Sequence, residues 1–175
     1  RHNKSLSEAR KIAKDWHREQ KIKRLEIAGK QAEETLSLIN NNKETLELAL
    51  AMLYLGEGFK KSGGTGMGNT DPLILKFFLR LMLKVYNLKL ENISIYLHLR
   101  ADQNVESMKK YWSKELKIPL SRFRKVSIDK RTIKTKTYPH YKGVCLINCG
   151  NVAIQRKLVY IGKKFCEKTT KNMGG

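Results

Sequence analysis

The sharpest pattern in the chain is a strict alternation over residues 92–100. Ile93, Ile95, Leu97 and Leu99 face one way, while Asn92, Ser94, Tyr96, His98 and Arg100 face the other. A period of two predicts a half-buried strand. Three-and-four spacing predicts helices elsewhere. Leu75, Phe78, Leu79, Met82 and Leu83 mark one over residues 73–86, opened by an Asp71 cap and Pro72. Val105, Met108, Trp112 and Leu116 mark another, capped by Asp102 and ended before Pro119. Asn151 caps a closing helix to about residue 164, with Ile154, Leu158 and Ile161 as its core face. Leu6, Ala9, Ala13 and Trp16 draw a narrow stripe on a long charged helix over residues 1–39, which Asn40-Asn41-Asn42 breaks. That helix reads as a solvated linker, or as an arm along a phosphate backbone.

Between these lies Leu50-Ala51-Met52-Leu53-Tyr54-Leu55-Gly56-Glu57-Gly58, an apolar helical run that ends in a carboxylate between two glycines. Asn42 is its expected N-cap and Glu44 sits in its first turn. A carboxylate at the end of a packed helix requires a cation, a metal or water. Residues 57–61 and 65–69 then predict a hairpin about Ser62-Gly63-Gly64. Thr132, Lys134, Lys136 and Tyr138 alternate with Ile133, Thr135 and Thr137 as a further strand or hairpin, and residues 141–149 predict a buried strand. The sum is an α+β fold with a curved antiparallel sheet, apolar on one face, polar and basic on the other. The expected domains are an arm over residues 1–40, a globular part over 41–168 and a flexible tail over 169–175.

Charge narrows the function. The 175 residues carry 36 Lys/Arg against 16 Asp/Glu, a net charge of +20 that favours a polyanionic partner, above all nucleic acid. A hydrophobic fraction of 41% still supports a core. Residues 117–142 hold nine Lys/Arg and one acid, too dense for edge protection alone. Arg122, Arg124, Lys130, Arg131, Lys134, Lys136 and Lys142 are therefore candidate phosphate contacts. No apolar run approaches the roughly 20 residues that span a bilayer, so no membrane partner is expected. Cys145, Cys149 and Cys166 lack paired spacing, which argues against zinc and for a reducing, intracellular setting. No phosphate-binding glycine loop and no paired histidines are present in the sequence.

With these residues in place, the chain resembles the LAGLIDADG homing-endonuclease superfamily. The run at 50–58 matches its motif, with Glu57 at the final acidic position. Asn69-Thr70-Asp71-Pro72 and the Phe123 region after Ile118-Pro119 are similar to a bacterial branch in which a helix-turn-helix and a charged linker precede the domain. The resemblance spans about residues 45–167. It departs at Met52, which stands where the family has its first glycine, and at Leu55, where an interior aspartate is usual. One motif per chain implies a homodimer, with Ala49, Met52, Leu53 and Gly56 at the interface. It implies a double-strand DNA endonuclease, a phosphodiester hydrolase whose Glu57 and Gly56 carbonyl hold Mg²⁺ or Mn²⁺, assisted by a basic residue for which Lys125, Lys134 and Lys136 are the candidates. Lys60, Lys61, Thr65 and Asn69 on the hairpin, with Ser94, Tyr96, His98 and Arg100, would contact double-stranded DNA. A non-cleaving DNA-binding regulator and an RNA-binding maturase-like protein are the competing readings.

Overall fold

The computed structural model describes residues 2–61 and 63–174, so the expected turn residue Ser62 and the terminal Arg1 and Gly175 lie outside the described residues. The chain divides into two units, residues 1–41 and 42–175. The first is one helix, α1 (His2–Ser37). Ile12, Trp16, Leu25 and Leu36 on it are exposed, so its apolar positions are not covered within this unit.

The second unit runs α2 (Lys43–Glu57), β1 (Gly66–Asn69), α3 (Pro72–Val85), β2 (Ser94–Arg100), α4 (Val105–Leu116), β3 (Phe123–Asp129), β4 (Val144–Asn148) and α5 (Val152–Met173). Three caps fall where the sequence places them. Asn42 Oδ1 accepts from Thr45 N at 2.8 Å, Asp71 Oδ1 from Leu73 N at 2.8 Å, and Asn151 Oδ1 from Ala153 N at 3.1 Å. The helices bury one face of a four-stranded sheet ordered β1-β4-β2-β3. Ile93, Ile95, Leu97 and Leu99 are fully buried there, with Cys145, Ile147 and Cys149 beside them and Leu75, Phe78, Met82 and Trp112 packed over them.

Five expectations are corrected. The sheet is mixed: β4 runs antiparallel to β1 and β2, but β3 runs parallel to β2. Parallel neighbours need a crossover, and α4 supplies it. Residues 57–61 form only an isolated bridge, Gly58 to Met67. Residues 132–138 form no strand. A 3-10 turn over Lys130–Thr132 leads into irregular chain there, because the threonines bond to the β2–α4 turn instead of to a ladder. Asp102 does not cap α4; Asn104 does, accepting from Ser107 N at 2.9 Å. The closing helix also continues well past residue 164, to Met173, through most of the expected tail.

α5 lies directly on α2. Gly162 makes the approach possible: a Cβ there would stand 3.2 Å from Leu55 Cβ and 3.3 Å from the Ala51 carbonyl oxygen. The α2 end, and with it Glu57, is held from behind by α5.

Candidate functional site

Along α2, Leu50, Ala51 and Tyr54 are buried in the core. Ala49 and Leu53 are half-buried, while Met52, Gly56 and Glu57 are exposed. Residues 49, 52, 53 and 56 thus share one stripe at helical spacing, on which Leu53 still packs against the core while Met52 and Gly56 stand exposed. The two glycines of the motif differ. A Cβ on Gly58 would meet the Tyr54 ring at 2.5 Å, whereas a Cβ on Gly56 would meet nothing within 4 Å. Gly58 belongs to the packing of this chain; nothing in the described residues explains Gly56.

The turn after α2 is fixed by polar groups. Tyr54 Oη donates to the Phe59 carbonyl at 2.6 Å, and Gln155 Nε2 donates to the same carbonyl at 2.7 Å and to that of Gly64 at 3.2 Å. Burial holds the Tyr54 phenol above its ordinary pKa, so it remains a donor. Beyond this turn Lys60 folds back, and its Nζ donates to the Gly56 carbonyl at 3.2 Å.

That contact bears on the metal. A hard divalent cation takes about six or more oxygen ligands. Among the described residues no cluster of three His, Cys, Asp or Glu exists. One chain brings a single exposed carboxylate, and the carbonyl beside it faces an ammonium. The donors of one chain do not fit a divalent ion.

The sheet face away from the helices carries Ser94, Tyr96 and Arg100 half-buried and His98 exposed. Register adds Val144, Leu146 and Asn148 from β4 and Ser127 and Asp129 from β3 to this face. Toward β1 the face turns apolar, because Phe59 lies against Gly66 and Gly68, where Cβ atoms would meet its ring at 3.0 and 3.4 Å. Thr65 does not reach this face. It is fully buried, donating from Oγ1 to the Asn151 carbonyl at 2.7 Å. Asn69 pairs with Cys145 on the helix-covered side, and its Oδ1 accepts from Asp71 N at 2.9 Å. Thr65 is not placed to read a ligand, whereas Asn69 is half-buried. Arg100 is already engaged, its Nε donating to Thr137 Oγ1 at 2.9 Å and its NH2 to Thr135 Oγ1 at 2.5 Å.

Of the expected cations, Lys61, Arg124, Lys125, Lys130, Lys134 and Lys136 are exposed. Arg131 is exposed but paired with Asp129, at 2.9 and 3.0 Å. Arg122 donates to the Glu91 carbonyl at 2.9 Å, and Lys142 Nζ to the Pro139 carbonyl at 2.9 Å. Lys125 cannot assist Glu57 of its own chain. Gly58 bridges the outer side of β1, and β3 is the opposite edge of the sheet. That is four strand spacings, roughly 19 Å. The cation that the fold sets against the Gly56 carbonyl is Lys60, which the sequence offers only as a DNA contact.

Beside His98 and Arg100 lies a concavity of about 430 Å³ lined also by Leu99, Ser127, Ile128, Asp129, Arg131, Tyr141 and Val144. It lies at the C-terminal ends of the parallel pair β2 and β3. Burial pushes the Cys149 thiol up to about 12 and the Cys145 thiol higher still, so neither is a nucleophile. Cys145, Cys149 and Cys166 are free thiols. No helix among the described residues is long and apolar enough to cross a membrane. The chain matches no family model, no curated protein and no solved structure.

Proposed function

We propose that this chain is a duplex-DNA-binding protein on a LAGLIDADG-like scaffold, acting as a homodimer joined along α2. In its active form it is a divalent-metal-dependent endonuclease with Glu57 as the metal-holding carboxylate. The observation that carries the reading is Gly56. It is exposed and helical, a Cβ placed on it would meet nothing within 4 Å, and it stands beside the exposed Met52 on the α2 stripe. Helices approach closely only where a side chain is missing, and no helix of the same unit approaches here. A second copy packed on this stripe would bring a second Glu57 to the first and supply the oxygen ligands that one chain lacks. The exposed cations of residues 117–142 and the His98 face supply the DNA-binding surface.

The hydrogen bond from Lys60 to the Gly56 carbonyl favours a second reading. An ammonium already neutralises this helix end, so the same scaffold suits a regulator that binds DNA and does not cut it. A cleavage assay on a randomised duplex library with Mg²⁺, comparing wild type with Glu57→Gln, separates the two. Cuts that vanish in the variant while binding persists support the endonuclease. Binding without cutting in both proteins supports the regulator. Absence of duplex binding at low salt, with tight binding to structured RNA, overturns both in favour of an RNA partner.

A further inference from the structure

The segment between β3 and β4 is long and irregular, yet it is tied down. Over residues 130–142 it holds five Lys/Arg and no acid. Its long-range anchors come mostly from one place, the turn from β2 into α4, with Trp112 Nε1 donating to the Lys142 carbonyl besides. Ala101 N donates to Thr132 Oγ1 at 2.8 Å, Thr137 N donates to Asp102 Oδ2 at 2.7 Å, and Thr137 Oγ1 donates to Asp102 Oδ1. Gln103 Nε2 donates to the Tyr141 carbonyl at 2.9 Å. The bonds Arg100 makes to Thr135 and Thr137 complete the latch. The lysines of the segment take no part in it: Lys130, Lys134 and Lys136 stand exposed.

A run of cations that repel one another resists a single conformation. Here the turn imposes one through hydroxyls and an acid and leaves Lys130, Lys134 and Lys136 exposed. Because Asn104 caps α4, Asp102 is left for this purpose. We infer that residues 130–142 are a preformed arm that grips the phosphate backbone of duplex DNA, and that Asp102 and Thr137 are the positioning residues that set it. This rests on the DNA-binding reading above. Holding the arm in place beforehand removes the ordering cost that a free basic loop meets on binding.

The test exploits a sign. Asp102→Ala removes a negative charge, so charge alone predicts tighter binding to a polyanion; a broken latch predicts weaker binding. Thr137→Val changes no charge and nearly no volume. Affinity for a 30-base-pair duplex is read by fluorescence anisotropy across a salt series, with tryptic cleavage after Lys134 and Lys136 as the readout of arm order. Both variants should bind about fivefold more weakly, with an unchanged salt slope and faster cleavage within the arm. Lys134→Gln/Lys136→Gln should instead flatten the salt slope, by about 0.9 for each phosphate no longer neutralised. Circular dichroism confirms that the helices persist. Variants that bind as tightly as wild type, or more tightly, overturn the inference and leave DNA binding intact. Wild type that fails to bind duplex overturns the functional reading and the arm together.

Discussion

Gly58 lies flat against the ring of Tyr54, so close that a Cβ at 58 would stand 2.5 Å from its carbons. Two residues away, Gly56 has open space. The glycines of one motif therefore answer to different demands. Gly58→Ala must displace a fully buried aromatic ring and should cost about 1–3 kcal/mol. Gly56→Ala lies in a helix with room for its methyl and should raise stability by about 0.5–1 kcal/mol. Urea unfolding of both variants checks the pair. Sedimentation then asks whether Gly56→Ala, the more stable chain, no longer self-associates.

A Cβ on Gly162 would stand 3.2 Å from Leu55. Gly162→Val should push α5 from α2 and destabilise the domain by about 2 kcal/mol. The same displacement loosens the backing of the Glu57 turn, so duplex cleavage, where present, should fall more than the fraction unfolded. Activity normalised to folded protein measures this.

Thr65 corrects a sequence expectation and tests the correction. Thr65→Val leaves the Asn151 carbonyl without its donor and should cost about 1–2 kcal/mol. Duplex affinity should not change, since Thr65 is buried away from the open face. A loss of affinity without a loss of stability would restore Thr65 to the interface.

Glu47 joins α2 to α3 and α5, accepting from Tyr86 Oη at 2.7 Å and from Lys157 Nζ at 2.6 Å. Burial is the largest single effect and pushes its pKa up, but the Lys157 and Tyr86 hydrogen bonds and the nearby lysine charges together outweigh it. The net shift is downward. A carboxyl with a lowered folded-state pKa contributes stability above its unfolded value, and that contribution is lost as pH falls through the lowered one. Wild type should therefore lose more urea resistance than Glu47→Gln between pH 6 and pH 3. Parallel curves for the two proteins would place the pH dependence elsewhere.

Lys134 holds a left-handed backbone, φ +73°, inside the basic arm. Lysine there costs conformational energy that glycine does not. Lys134→Gly should gain about 0.5–1 kcal/mol, while duplex affinity falls with the removed charge. Lys134→Ala should show the same drop in affinity and gain no stability. Thermal melts and anisotropy on the two variants separate strain from charge.

How much of this was legible in the chain follows the range of the forces involved. The buried face of Ile93, Ile95, Leu97 and Leu99 and the caps at Asn42, Asp71 and Asn151 rest on residues within a few positions of one another, so periodicity and capping chemistry fix them locally. The cap at 102 fails because a local rule does not choose between two acceptors, and a partner 35 residues away, Thr137, takes Asp102. The lysine and threonine alternation over 132–138 likewise reads as a strand until the latch claims its hydroxyls.

The sequence by itself determined the buried face of Ile93, Ile95, Leu97 and Leu99, where α2, α3 and α5 begin, that the chain is strongly basic, and that Glu57 ends an apolar helix. Tertiary structure alone decided that β3 runs parallel to β2, that Lys125 stands a sheet's width from Glu57 while Lys60 folds onto Gly56, and that Thr65 turns inward. The physical reason is that alternation assigns a side chain to a face without assigning its strand a direction or a neighbour. Those are set only when distant segments compete for one core.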